Sequence, residues 1–268
     1  QLDLKPSKSL GQNFVIDSNV CTKIVRTAGV TAEDIALEIG PGLGSLTLAM
    51  LDAAKSVIAV EIDPRLAQQL PLTVAEHFAH PENLTVINKD ALAVHDLPVA
   101  PTVLVANLPY NVATPLVADL LDTVPSISRF VVMVQKEVAL RLASVAGSSD
   151  YGAVSVKVAY WATARILGDV PPSVFVPRPK VTSSIIEITR RTEPAVGPHI
   201  EPQQLFRIVR TAFGQRRKML RAALSGIFGS SAKAEAVLIA AGIDPTLRGE
   251  SLLIDSFCAI YNASQSVK

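Results

Sequence analysis

Ile35-Ala36-Leu37-Glu38-Ile39-Gly40-Pro41-Gly42-Leu43-Gly44 runs a short apolar stretch into a glycine-rich turn, and a helical pattern over 45–53 follows at once. Strand, glycine turn and helix in that order open a parallel α/β unit, with the turn at the carboxyl edge of the sheet. Glycines there let the backbone approach a ligand closely and adopt positive φ without steric penalty. Four further compact runs rich in Val, Ile and Leu lie downstream, at 57–62, Leu84–Asn88, 103–106 and 130–134. Apolar on both faces, they read as strands covered on both sides. Helical spacing separates them at 64–78 and 114–121, and Pro64 suits a first helical turn, where its missing N–H has no intrahelical partner anyway. The alternation predicts a doubly wound α/β fold on a mostly parallel sheet.

On the amino-terminal side, Asp17 followed by 18–28 and then Gly29 reads as a capped helix. Its approach, Ser9-Leu10-Gly11-Gln12-Asn13-Phe14, is irregular and placed to fold over a ligand. After Gly152 comes a helical stretch and then two extended segments, 164–170 and 181–189. Their connection, Pro171-Pro172-Ser173-Val174-Phe175-Val176-Pro177-Arg178-Pro179, lacks backbone donors at its prolines and reads as a fixed loop rather than a strand. A composition change at 193–202, with three prolines and a glycine, precedes patterns that are all helical: 203–213, 216–228, 231–241 and 251–262. The expected division is a ligand-binding catalytic domain over 1–192 and a small all-helical domain over 193–268.

Nearly half of the 268 residues are hydrophobic, enough for a sizeable core. A net charge of +1 does not mark the whole chain as a polyanion binder. The distribution does more: 201–228 holds Arg207, Arg210, Arg216, Arg217, Lys218 and Arg221 against the single acid Glu201, so one region is basic on an otherwise slightly acidic protein. Cys21 and Cys258 are too few and too far apart for a disulfide scaffold or a zinc site. His77 and His80, three apart with no third ligand nearby, read as a solvated helix surface, so no metal is expected. No apolar run reaches membrane-spanning length and no signal-peptide core is evident, so the expectation is a cytoplasmic monomer with no membrane partner.

The glycine turn with Glu61 at the end of the second strand, twenty-one residues after Gly40, suits a nucleoside-bearing cofactor whose ribose diol an acid can accept. Asp90 closes the third strand run, where it can bond an adenine amine, and Asn107-Leu108-Pro109-Tyr110 closes the fourth. An NAD site would use the helix N-terminus for a pyrophosphate, and a dehydrogenase leaves the Asn-Leu-Pro-Tyr segment without a task. That segment suits methylation of an aromatic amine, whose lone pair is delocalised into the ring. The Asn107 side-chain oxygen and the Leu108 carbonyl can draw both N–H bonds out of the ring plane, aim the lone pair at a methyl group and stabilise the positive charge that develops on nitrogen. Pro109 stiffens the loop, Tyr110 offers a face for the base, and Phe175 is expected to supply the opposing face.

With these residues in hand, the chain resembles the ribosomal RNA adenine N6,N6-dimethyltransferases. The resemblance spans nearly the whole length: Gly11-Gln12-Asn13-Phe14, Glu38-Ile39-Gly40-Pro41-Gly42-Leu43-Gly44, Glu61, Asp90, Asn107-Leu108-Pro109-Tyr110-Asn111, Gln135-Lys136-Glu137, the segment 175–183 and Gln215-Arg216-Arg217-Lys218. It implies a class I, Rossmann-like methyltransferase domain that takes S-adenosyl-L-methionine through Gln12, Asn13, Val15, Glu38, Gly40, Gly42, Glu61, Ile62, Asp90, Ala91 and Asn107. It also implies dimethylation of two adjacent adenosines in the 3′-terminal hairpin of small-subunit rRNA within a pre-30S particle. Arg216, Arg217 and Lys218, expected at the start of a helix, would then clamp RNA phosphates together with Arg210 and Arg221. A related resistance-type group acting on large-subunit rRNA shares the amino-terminal motifs but lacks the Gln-Arg-Arg-Lys segment. A DNA adenine methyltransferase and an assembly factor with secondary catalysis are the remaining alternatives.

Overall fold

A computed structural model describes residues 12–94, 96–195 and 200–266, and the chain divides into two compact units. The first unit comprises Gln1–Ala139 and Ala164–Arg190. Of the amino-terminal approach, Ser9, Leu10 and Gly11 lie outside the described residues.

The unit begins with a two-residue strand, β1 (Phe14–Val15), and helix α1 (Ser18–Thr27), whose N-cap Asp17 accepts a hydrogen bond from the Asn19 N–H. Strand β2 (Ile35–Ile39) and α2 (Ser45–Leu51) flank the glycine turn, and β3 (Ser56–Glu61) leads into α3 (Pro64–His77) through the N-cap Asp63. Then follow β4 (Leu84–Asn88), β5 (Val103–Asn107), α4 (Ala113–Thr123), β6 (Arg129–Gln135) and α5 (Lys136–Ala143), which ends beyond the unit. Strands β2, β3, β4, β5 and β6 pair in parallel, as doubly wound connections require. Val103, Leu104, Val105 and Ala106 are fully buried, which accounts for the unbroken apolar run: a central strand has no solvent face on which to alternate.

Helix α6 (Ala153–Trp161) belongs to the second unit, and β7 (Ala162–Val170) begins there and continues in the first. The proline-rich segment is not the plain loop expected from its sequence. Its centre forms β8 (Phe175–Val176), which pairs antiparallel with β1 in the register Phe14↔Val176 and Val15↔Phe175. Prolines on both sides hold the strand to two residues, so the extended pattern is too short to show in the sequence. Strand β9 (Ser183–Arg190) then returns beside β6, antiparallel, with Gln135↔Ser183 and Met133↔Ile185 opposed. The seven-stranded order is β4-β3-β2-β5-β6-β9-β7.

In the second unit, Leu140–Thr163 joins Arg191–Lys268, so the unit takes in residues that the boundary expected at 193 assigns to the first domain. The physical reason is α6: its Tyr160 is 1% exposed and meets Phe206 edge to face, with centroids 5.4 Å apart. Phe206 lies on the buried stripe of α7 (Pro202–Gly214), which carries Arg207 and Arg210 on its exposed side. The helix expected over 216–228 is instead a turn, in which the Gln215 carbonyl accepts from the Lys218 N–H, followed by two short helices, α8 (Leu220–Ala223) and α9 (Ser225–Phe228). The Leu247 and Pro245 carbonyls take the Leu220 and Arg221 N–H groups and turn the chain out of a continuous helix. Helices α10 (Ser231–Ala240) and α11 (Ile254–Ser266) complete this core.

Candidate active site

The carboxyl ends of β2, β3 and β5 and the loop after β4 open onto one pocket. It is lined by Gln12, Asn13 and Val15 from the amino-terminal segment and by Glu38, Gly40 and Gly42 from the glycine turn. Glu61 and Ile62 follow β3, Asp90 and Ala91 follow β4, and Asn107, Leu108, Pro109 and Tyr110 follow β5. Every residue assigned in the sequence to cofactor or amine thus faces one cavity, except Phe175. Phe175, paired with Val15, lies in the core cluster that includes Val170 and Ile185, where it is 2% exposed.

Gly42 at φ +58° shows why the turn is built from glycine: a Cβ would stand 2.8 Å from Cδ1 of Phe14. Gly44, also at positive φ, is the N-cap of α2. Glu61 is nearly buried, and its two carboxyl oxygens accept from the Gly42 N–H at 3.2 Å and the Asp63 N–H at 2.9 Å. Burial pushes this carboxyl above its ordinary range, against the pull of those N–H groups. Asp63 goes the other way: its hydrogen bonds with the Arg65 side chain hold it down at about 2. Gln12 reaches the same carboxylate through Nε2 at 3.4 Å, drawing the amino-terminal segment to this rim.

Glu38 is 1% exposed and accepts from the Thr47 hydroxyl at 2.6 Å. Burial raises its pKa from 4.5 to about 8, and the charge of Glu61 adds to the effect. Ionising Glu38 therefore opposes folding, so its contribution to stability is present below pH 4.5 and is lost as pH rises to about 8. Glu38→Gln keeps an acceptor for Thr47 and cannot ionise. Its melting temperature relative to wild type should climb from pH 5 to pH 8.5, and a difference that stays flat across that range would contradict a buried, titrating Glu38. Two acids with raised pKa at one pocket suit a ligand that brings positive charge, because such a ligand stabilises the ionised forms. The cramped glycine turn and the Glu61 carboxyl, whose oxygens retain acceptor capacity, suit a nucleoside at the same place.

Asn107 carries the other half of the pocket. Its Nδ2 donates to the Asn13 carbonyl at 2.9 Å, which fixes the orientation of the amide. Its Oδ1 is buried and has no hydrogen-bond partner. An acceptor left unmatched in a pocket wall is costly unless a ligand supplies a donor. Leu108 is anchored through its N–H to the Met133 carbonyl, and the Pro109 carbonyl accepts from Val112 and Ala113 at the entry to α4. Tyr110 lines the pocket, and its hydroxyl shares a 2.6 Å hydrogen bond with Ser183 Oγ. Sequence reasoning missed Ser183 and Thr47, because a serine or threonine inside an apolar element carries no signature of its partner.

The basic residues of the second unit fall into two groups. Arg216 bonds the Tyr151 carbonyl and pairs with Glu250 at 3.5 Å, and Arg221 pairs with Glu235 at 3.3 Å. Arg210, Arg217 and Lys218 are exposed. Among the described residues, no group of acids, cysteines and histidines could hold a metal ion, and no helix is long and apolar enough to cross a membrane.

A doubly wound sheet with a reversed strand beside β6, and a pocket joining a glycine turn to an Asn-Leu-Pro-Tyr loop, define a class I methyltransferase. The sequence model for "Ribosomal RNA adenine dimethylase" matches residues 4–266, and the chain belongs to that family. It is 51% identical over 261 residues to "Ribosomal RNA small subunit methyltransferase A" of Streptomyces avermitilis, covering 97% of this chain and 88% of that protein. The protein of the same name from Thermobifida fusca is 51% identical over 262 residues, covering 97% and 91%. Among solved structures, a dimethyladenosine transferase from Plasmodium falciparum shares the fold with a TM-score of 0.80 at 24% identity, covering 94% of this chain and 98% of that one. The 23S rRNA methyltransferase ErmE superposes with a TM-score of 0.67 at 26% identity, covering 93% and 98%.

Proposed function

We propose that this methyltransferase uses S-adenosyl-L-methionine to dimethylate the N6 amines of two adjacent adenosines in the 3′-terminal hairpin of small-subunit rRNA, late in 30S assembly in the cytoplasm. The observation that carries the reading is the buried, partnerless Asn107 Oδ1 in the pocket wall, held in place by the Asn13 carbonyl. It is an acceptor waiting for an N–H of an amine. The Leu108 carbonyl would take the second N–H, and Tyr110 would stack against the base. Glu38, Glu61, Asp90 and the turn at Gly40 and Gly42 would hold the methyl donor. S-adenosylmethionine, once bound, supplies an electrophilic methyl: the amine lone pair forms the N–C bond, the C–S electron pair stays on sulfur, and the nitrogen then releases a proton to water. Unstacked hairpin adenosines reach such a pocket more readily than duplex bases do. The name shared by the bacterial relatives supports the small subunit as the target.

Mapping methyl groups on rRNA after incubation with undermethylated small subunits tests this reading. Dimethyladenosine confined to the small-subunit hairpin is the expected result, and methylation of large-subunit rRNA or duplex DNA instead would overturn it.

The second unit would hold the RNA through phosphates, with Arg217 and Lys218 exposed after α7 and Arg210 exposed on it. Arg216 and Arg221 are partly committed to Glu250 and Glu235. The paired substitution Arg217→Glu and Lys218→Glu should weaken binding to small subunits and flatten the slope of log affinity against log salt by about 1.4, the share of two phosphate contacts on single-stranded RNA. Titration of S-adenosylmethionine should be unmoved, and equal losses of both affinities would remove the phosphate reading.

A further inference from the structure

We propose that Ser183 is a positioning residue for the target base: by holding the Tyr110 hydroxyl it fixes the stacking ring, and this anchoring matters more for the second methyl transfer to an amine than for the first. The inference rests on Tyr110 serving as the stacking face.

Tyr110 is restrained at both ends. Its backbone follows Pro109, whose carbonyl accepts from Val112 and Ala113, so the near end is set by the turn into α4. At the far end the phenol oxygen lies 2.6 Å from Ser183 Oγ. Ser183 is fully buried at the start of β9, opposite Gln135 in the β6 register, and the Lys136 N–H donates to the neighbouring Thr182 carbonyl. The hydroxyl that meets Tyr110 is thus mounted on the sheet itself. That contact restrains rotation of the side chain about its Cα–Cβ bond. Burial also raises the phenol pKa, which keeps it neutral and able to donate.

The asymmetry between the two transfers follows from counting N–H groups. An unmodified amine offers two, one for Asn107 Oδ1 and one for the Leu108 carbonyl. The first transfer replaces one N–H by N–CH3, with the displaced proton passing to water and the C–S pair to sulfur. The monomethyl amine that must react next offers a single N–H, so one acceptor loses its donor. The base is then held by one hydrogen bond and by stacking, and the stacking face carries a larger share of the alignment.

Ser183→Ala and Tyr110→Phe each remove one side of the contact, and Tyr110→Phe remains available if Ser183→Ala folds poorly. On undermethylated small subunits, with products resolved as mono- and dimethyladenosine, both variants should slow the second transfer about three- to tenfold, the range of one neutral hydrogen bond. The first transfer should slow less, so monomethyladenosine accumulates. The double variant should be no worse than either single one, Ser183→Thr should restore the dimethyl product, and calorimetric affinity for S-adenosylmethionine should match wild type. If both variants form dimethyladenosine without accumulating the monomethyl product while Tyr110→Ala is impaired, the stacking face stands and the role of Ser183 is refuted. If Tyr110→Ala is itself unimpaired, the stacking reading beneath the proposal fails.

Discussion

Asn107→Ala should lower kcat for methyl transfer to small subunits by about 10²–10³-fold, the loss typical when one preorganised hydrogen-bonding partner of a developing charge is removed. The amide is oriented before substrate arrives, by the Nδ2 hydrogen bond to the Asn13 carbonyl, so no reorganisation is needed as positive charge grows on the amine. Asn107→Asp separates the two functions of the side chain. It keeps an acceptor oxygen but loses the donor that fixes orientation, and it turns a carboxylate oxygen toward the Asn13 carbonyl. Its rate should fall between those of wild type and Asn107→Ala. Single-turnover rates with calorimetric cofactor affinity measured alongside make the check: an alanine variant that keeps more than about a tenth of the wild-type rate would dismiss Oδ1 as the acceptor of the target amine.

Gly42→Val should remove cofactor binding almost entirely. A β-branched residue at φ +58° is a backbone outlier, and its Cβ would stand 2.8 Å from the Phe14 ring. Pairing through β1 with β8 holds the Phe14 backbone in place, so its ring can yield only by turning about its side-chain bonds. The positive φ strains the turn whatever the ring does, and a turn that shifts takes with it the N–H that Glu61 Oε2 accepts. A displacement of this kind at a ligand-positioning loop costs about 10²-fold or more. Calorimetry with S-adenosylmethionine should show no measurable heat, with a lowered melting temperature but an unchanged far-UV circular dichroism spectrum. Wild-type affinity in this variant would mean that the turn does not hold the donor.

The parallel sheet was legible because its central strands are buried on both faces, so runs such as Val103, Leu104, Val105 and Ala106 stand out against helical spacing, whereas β4 at the edge is only partly covered. The pocket was legible for a related reason: glycine, acid and Asn-Leu-Pro-Tyr signals fall at strand ends, and parallel connections bring strand ends to one edge. Phe175 escaped the same logic. An isolated aromatic between prolines says nothing about which way it faces, and that was decided by pairing with Val15 from the far end of the sequence. Arg216, Arg217 and Lys218 were placed on a helix because charges beside an apolar period mimic one, whereas backbone donors taken by Leu247 and Pro245 break the helix there. Tyr160 looked like part of the first domain by sequence position and is a core residue of the second, since it packs on a helix that begins some forty residues later in the chain.

The pairing of β1 with β8 also bears on the order in which the molecule assembles. Phe14 and Val15 leave the ribosome well before their partners Phe175 and Val176, which come only after six strands of the main sheet have been made. The amino-terminal wall of the donor pocket therefore cannot close during early synthesis. Closing it brings together two segments far apart in the sequence, an entropic cost met only when the intervening sheet already holds them near. A nascent chain can build its parallel strands before the wall that grips its methyl donor is in place, so competence arrives late.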